Sequence, residues 1–231
     1  MSVSVGIPVY NHREGVAEVI SQVLLLGLPV FVVDDGSTDG TPAILATLRG
    51  ITVLRHPVNL GKGAALLTGF AAAAKISDWA LTLDADGQHL PQDGLAFLEI
   101  ARRGERVIAI GIRRGMAGKN VPWTSRFGRG FSNFWVWAAG GPWTADSQSG
   151  FRLYPLPEAM HLSVKARRYQ FEVEILVRAR RRRIRTVEIP ISVVYQPKGV
   201  RVSHFRPWLD FLRNSATFSR LIFTRFFPGE R

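Results

Sequence analysis

Short apolar runs rich in β-favouring residues alternate along the first half of the chain with stretches whose apolar positions recur at helical spacing. The pattern predicts strands at Ser2 to Val9, Val30 to Asp34, Thr52 to Arg55, Trp79 to Asp84 and Val107 to Gly111. Between them it predicts helices near 14 to 26, 40 to 48, 62 to 75 and 91 to 103. This alternation implies an α/β domain with a mostly parallel sheet and helices on both faces. In such sheets ligands bind outside the carboxyl ends of the strands, so the loop after each strand is where chemistry is expected.

Three of those loops are polar and turn-forming. They are Pro8-Val9-Tyr10-Asn11-His12, the run Asp34-Asp35-Gly36-Ser37-Thr38-Asp39-Gly40-Thr41, and Asp84-Ala85-Asp86-Gly87-Gln88-His89. The Asp34-Asp35 pair has two readings: carboxylates that accept hydrogen bonds from a base or ribose, or part of a turn in which Ser37, Thr38 or Asp39 caps the next helix. Both hold together if Asp39 or Thr38 caps while Asp35 faces the ligand. In Asp84-x-Asp86-x-Gln88, alternate residues leaving a strand point the same way, so two carboxylates and an amide oxygen converge on one hard divalent cation. All-oxygen ligands suit Mg²⁺ or Mn²⁺ rather than zinc. The plain alternative is two solvent-facing aspartates on a turn made by Gly87.

Composition narrows the class. With 231 residues, 46% of them hydrophobic, and no Gly, Ser or Pro-rich linker, one well-buried core is expected. Cysteine is absent, which removes disulfides, thiolate zinc sites and cysteine nucleophiles. The N-terminus does not read as a signal peptide, and no apolar run reaches the ~20 residues of a membrane span, so the chain is not expected to be threaded through a bilayer. A formal charge of +12 calls for an anionic partner: nucleic acid, acidic lipid or a phosphorylated substrate. Charge is densest from Arg178 to Arg185, either a solvated helix end or a membrane or phosphate contact. Aromatics are not interleaved with that run as a nucleic-acid stacking platform requires. No GxGxxG opens the first helix, against a dehydrogenase, and PVYNHREG lacks the Gly-rich basic loop of a pyrophosphorylase.

Six motifs then stand in one order: PVYN, VVDDGSTDGT, NLGKGAALLTGF from Asn59, LDADGQH, DSQSGFRLY from Asp146, and YQFEVEILVRA from Tyr169. With them the sequence resembles the family 2 glycosyltransferases of the GT-A fold, within them the dolichol-phosphate (polyprenyl-phosphate) mannose synthase branch, over roughly residues 3 to 205. The resemblance implies that Pro8, Tyr10, Asp35 and the backbone near Asn11 bind the nucleoside of a nucleotide-diphosphate sugar, with Gly61 and Lys62 beside it. It implies that Asp84, Asp86 and Gln88 hold Mg²⁺ or Mn²⁺ on the diphosphate. Arg113 and Arg129 match arginines that neutralise phosphate oxygens. Lys198 and, preferred, Arg201 match a basic residue on a loop over the donor. Asp146 is the base if the acceptor is a hydroxyl, or else a loop carboxylate that orders backbone or touches the metal.

The expected reaction is inverting transfer of a hexose from a GDP- or UDP-linked donor to a lipid-linked acceptor such as polyprenyl phosphate. A hydroxyl acceptor and an inactive scaffold are the alternatives, and the intact Asp84, Asp86 and Gln88 speak against the second. Asn11-His12 stands where many relatives have Asn-Glu, so the base is not fixed, and neither is the oligomeric state. Residues 1–205 are read as the catalytic domain and 206–231 as an amphipathic helical tail. In that tail Phe211, Leu212, Phe218, Ile222 and Phe226 recur at helical spacing among Arg213, Arg220 and Arg225. Such a helix suits a lipid interface, or packing on the domain or on a dimer partner. A cytoplasmic protein, peripheral on the inner face of an anionic membrane, is the expected setting.

Overall fold

The alternation at the N-terminus forms strand β1 (Val3–Val9). Val3, Val5, Ile7 and Val9 enter one apolar core, while Ser4 turns the other way and shares a 2.5 Å hydrogen bond with Ser77. The computed structural model describes residues 1–113, 123–194 and 207–226, with side chains described for these except 123–127, 207–213 and 226. The order continues as α1 (Val16–Leu24), β2 (Val30–Asp34), α2 (Thr41–Thr47), β3 (Ile51–Arg55), α3 (Lys62–Ala73) and β4 (Trp79–Thr82). It ends with α4 (Gly94–Arg102), β5 (Ile108–Arg113), α5 (Trp123–Ala138), β6 (Arg152–Pro155), α6 (Phe171–Arg181), β7 (Thr186–Ile191) and α7 (Pro207–Phe226).

The seven strands form one sheet in the order β3-β2-β1-β4-β6-β5-β7. All neighbours run parallel except β6, which is antiparallel to both β4 and β5. The carboxyl ends of the other six strands therefore share one edge, and the segment entering β6 arrives at that same edge. One apolar core gathers Val16, Val19, Ile20 and Val23 of α1, Leu45 of α2, and Phe97 and Ala101 of α4 on one face of the sheet. The other gathers Leu66 and Phe70 of α3, Val136 of α5, residues of α6, and Phe218 and Leu221 of α7. The result is a three-layer α/β arrangement.

The five strands and four helices expected from the pattern all form, with shifted ends. β4 stops at Thr82 rather than Asp84, so both aspartates of the DxD motif stand on the turn that Gly87 closes at φ 68°. β5 runs on to Arg113 because β7 pairs with it as far as Arg113 opposite Ile191, which makes Arg113 a strand residue. The start of the helix expected at 91 is a 3-10 turn, Pro91–Asp93. Of the five apolar positions read in the tail, Phe218 and Ile222 pack on the second core. Arg220 also reaches Glu174 at 2.6 Å. The other three, Phe211, Leu212 and Phe226, lie outside the described side chains.

Candidate active site

Two loops at the carboxyl edge are zipped together first. Asn11 takes φ 52°, the left-handed region that asparagine tolerates, and its Oδ1 accepts from the Thr38 amide at 2.8 Å. Its own amide donates to Ser37 Oγ, and His12 N donates to Thr41 Oγ1, each at 2.9 Å. Asp39 accepts from the Thr41 amide at 2.9 Å, closing a turn just before α2; the N-cap itself is Gly40 and no side chain caps the helix, so the capping role expected of Ser37, Thr38 or Asp39 is not taken up. Pro8 and Tyr10 are half-buried beside this junction.

Asp35, placed on the nucleoside by resemblance, faces inward in large part. Its Oδ1 accepts from His56 Nδ1 at 2.7 Å and from the Leu60 amide at 2.9 Å, and its Oδ2 accepts from the Gly61 amide at 2.7 Å. With about four lone-pair directions on a carboxylate, these three bonds take up most of its accepting capacity, and the side chain is only 3% exposed. His56 in turn reaches Thr68 Oγ1 at 2.9 Å, so the aspartate fixes both β3's exit and the start of α3.

Lys62 opens α3 between two glycines that let the helix close on the chain before α6. A Cβ on Gly61, which has φ 102°, would stand 2.5 Å from the Arg167 carbonyl oxygen, and one on Gly63 would stand 2.7 Å from Phe171 Cβ. That approach puts the Lys62 ammonium 2.6 Å from Asp84 Oδ1 and also in contact with Glu172. Burial alone would lower the lysine pKa, but the two carboxylates outweigh it and hold it above the ordinary value. Burial opposes ionisation of Asp84 as well, and Lys62 and His89 reverse this and keep it below its ordinary range. Asp86 is pushed up, first by burial and then by Asp84; Glu172 is pushed up by burial, which Lys62 only partly offsets. The half-buried Asp84 and the buried Glu172 thus share one ammonium, with the half-buried Asp86 beside Asp84, so there are more carboxylates here than Lys62 can neutralise.

That excess, and the oxygen character of the Asp84, Asp86 and Gln88 side chains, fit a hard divalent cation. Among the described residues no group of three or more His, Cys, Asp or Glu side chains is arranged for a metal, so Gln88 or non-protein oxygens would complete such a shell. The loop is held in place on its far side. The Gln88 amide donates to Asp86 Oδ1 at 3.0 Å, Val194 N donates to the Gln88 carbonyl at 3.0 Å, and His89 bridges Val193. Beyond Val194 the chain runs toward Lys198 and Arg201, which lie outside the described residues.

On the other side Arg113 holds Asp146 in a two-point ion pair, Nε to Oδ2 at 2.6 Å and Nη2 to Oδ1 at 2.8 Å. Asp146 is fully buried. Its loop is clamped by α5: Asn133 Nδ2 donates to the Ala145 carbonyl at 2.8 Å, and the Ser147 amide donates to Asn133 Oδ1 at 2.9 Å. Arg129 precedes Asn133 by one helical turn, on the same face and half-exposed.

The expectations from sequence missed four contributors. Glu172 and Glu174 stand in a helix's first turn amid Phe171, Val173 and Ile175, and acids inside an apolar run signal buried partners. Arg152 is fully buried and donates at 2.7 Å to the carbonyls of Ser147, Ser149 and Glu172, which ties the Asp146 loop to α6. Gly150 lies against Asp84, where a Cβ would stand 2.4 Å from Oδ2. All four belong to quoted motifs, but nothing in the residue types of Arg152 and Gly150 says what they touch.

Comparison with known proteins bears on this geometry. Two crystal structures of S. aureus TarS superimpose with TM-scores of 0.57 and 0.52 at 17% and 18% identity, covering 100% and 76% of this chain. The chain spans 44% and 55% of those longer chains, and the likeness supports the GT-A fold expected from the sequence. The chain is 30% identical over 211 residues to the UDP-N-acetylglucosamine–dolichyl-phosphate N-acetylglucosaminyltransferase of Methanococcus voltae, covering 82% of this chain and 84% of that one. It is 31% identical over 218 residues to the polyprenol monophosphomannose synthase of Mycolicibacterium smegmatis, covering 84% and 78%. It is 33% identical over 195 residues to an uncharacterized protein of Methanocaldococcus jannaschii, covering 82% and 80%. The model of the family described as glycosyl transferase family 2 matches residues 4–157, which hold the zipped loops, Lys62, the DxD turn, Arg113 and Asp146. The chain is a glycosyltransferase and belongs to glycosyl transferase family 2.

Proposed function

We propose that the chain transfers a hexose from a GDP- or UDP-linked donor to a lipid-linked phosphate such as polyprenyl phosphate, with inversion at the anomeric carbon. The observation that carries this is the Arg113–Asp146 pair. Asp146 is the base that a hydroxyl acceptor would need, yet both its oxygens are engaged by an arginine. A phosphate monoester is already an anion and needs no base, so the pair suits it. Two of the relatives above carry names that describe transfer to dolichyl phosphate and synthesis of a polyprenol monophosphomannose.

In this reading Pro8, Tyr10, Asn11 and Asp35 frame the nucleoside. Asp84, Asp86 and Gln88 hold Mg²⁺ or Mn²⁺, which supplies charge stabilisation for the departing diphosphate. Lys62 fixes the orientation of Asp84 from behind. Arg113, held by Asp146, and Arg129 present cations to phosphate oxygens, where negative charge grows as the glycosidic bond breaks.

Transfer assays with donors of both bases, offering a short-chain prenyl phosphate or the corresponding alcohol, test the proposal. Product is expected from the phosphate alone, and EDTA or Asp86→Ala is expected to abolish it with the fold intact. Transfer to the alcohol but not to the phosphate would overturn the acceptor assignment. Full activity in EDTA would overturn the metal.

A further inference from the structure

Beyond the sugar site, the end of α5 and the turn after it carry an aromatic cluster in solvent. Phe134 is 48% exposed, Trp137 50% and Trp143 70%. Phe134 and Trp137 share one helical face, with ring centroids 6.1 Å apart, and Trp137 meets Trp143 edge-on at 6.2 Å. The opposite face of α5 supplies the core contacts: Val136 is buried, and Trp135 stacks at 6.4 Å on Phe218 of α7. The exposed rings are therefore surplus to the packing of this helix.

Arginines converge on the same turn. Arg180 Nη1 donates to the Gly141 carbonyl at 3.0 Å, Arg181 Nη2 to Ala139 at 3.3 Å, and Arg225 Nη1 to Ala138 at 2.9 Å. Carbonyl acceptors leave the guanidinium charge in place, and Arg182 and Arg183 add two further exposed cations at the end of α6. Tryptophans rimmed by arginines are suited to the headgroup layer of an anionic bilayer. There the indoles sit at the water boundary and the cations meet lipid phosphate.

We propose that this face, the C-terminal end of α5 with the 138–143 turn and the arginines around it, docks the protein on an anionic membrane surface. The inference rests on the reading that the acceptor is a lipid-linked phosphate, and it deepens it. Arg129 precedes Trp137 on α5 by eight residues, roughly 12 Å along a helix. Asn133, midway between them, holds the Asp146 loop, so one helix carries both the docking face and the contacts to that loop. α7 adds Arg225 to this face, while its Phe218 and Leu221 are buried in the second core.

The test is co-sedimentation of the full chain with phosphatidylcholine vesicles, with and without phosphatidylglycerol, at low and high salt. Trp137→Ser/Trp143→Ser and Arg182→Gln/Arg183→Gln double variants are compared after thermal melts confirm that they fold. Binding is expected only with phosphatidylglycerol, weaker in high salt, about tenfold weaker in the tryptophan variant and roughly fivefold weaker per arginine removed. Transfer to a vesicle-embedded prenyl phosphate should fall in step, and transfer to a short-chain soluble one should not. Wild-type protein that fails to bind, or a tryptophan variant that binds as well as wild type, would overturn the proposal. So would a dimer that the tryptophan variant dissociates without vesicle binding by either form, since the face would then be a contact between copies. Vesicle binding through the tryptophans with no transfer to any prenyl phosphate would uphold the docking face and sink the acceptor reading instead.

Discussion

Arg113 grips Asp146 with two hydrogen bonds, 2.6 and 2.8 Å, one to each carboxylate oxygen, and so joins the end of β5 to the loop that enters β6. A carboxylate held this way orients an arginine and is poorly placed to take a proton. Loss of a true general base costs about 10²–10⁴-fold in rate. Asp146→Asn keeps an oxygen acceptor for Arg113, and turnover with a phosphate acceptor is expected to stay within about tenfold of wild type, or about 1.4 kcal/mol. A fall of a thousandfold with a normal melting temperature would restore Asp146 as the base. Arg113→Ala, by contrast, leaves a fully buried carboxylate unpaired. It should lower stability by about 3–5 kcal/mol and reduce kcat more than donor affinity, measured by urea denaturation and steady-state kinetics.

Gly150 has no room for a side chain, because its missing Cβ would stand 2.4 Å from Asp84 Oδ2. Gly150→Ala should displace that carboxylate and cost about 1–3 kcal/mol in stability. The thermal shift that Mn²⁺ and nucleotide-sugar give should shrink with it; for wild type that gain is about 2.7 kcal/mol at a hundred times the dissociation constant. An unchanged shift would show that Asp84 does not depend on this cradle.

The Lys62 ammonium is shared by Asp84 and Glu172, so Lys62→Met leaves a half-buried and a buried carboxylate without their shared cation. Removing one partner of such a pair costs about 3–5 kcal/mol. Part of that loss should return in Lys62→Met/Glu172→Leu, which removes both charges. Additive effects in the double-mutant cycle would mean that Lys62 and Glu172 act independently.

Glu158 pairs with Arg106 through Nε at 2.7 Å and through a second guanidinium contact, and those bonds hold its carboxyl below the ordinary glutamate value of 4.5. A depressed folded pKa means stability that is complete above pH 4.5 and lost as pH falls through the folded value. The Glu158 side chain is 36% exposed, so solvent screens the pair and the effect is small. Glu158→Gln should flatten the drop in urea midpoint that wild type shows below pH 4.5 while changing little at pH 7. A steeper drop in the variant would contradict the assignment.

The strands β1 to β5, the helices between them and the three loops at their carboxyl ends were legible in the residues alone. Periodicity there is local and the turn residues are explicit: Asn11 takes the left-handed turn, Asp39 closes the turn before α2, and Gly87 closes the DxD turn. The six motifs by themselves carry the family's signature. What the sequence could not express is the pairing of side chains far apart along it. Arg113 meets Asp146 only because β6 runs antiparallel between β4 and β5, which brings the residues before Arg152 to the edge where the other strands end. Lys62 meets Glu172 only because Gly61 and Gly63 let α3 lie against the 166–171 segment. Phe218 reads as an amphipathic position at helical spacing whether its partner is lipid or protein. Only the packing of α7 on α5 and α6 turned it inward and left Trp137 and Trp143 in solvent. Periodicity records which face of an element is apolar, and tertiary contact alone decides what that face meets.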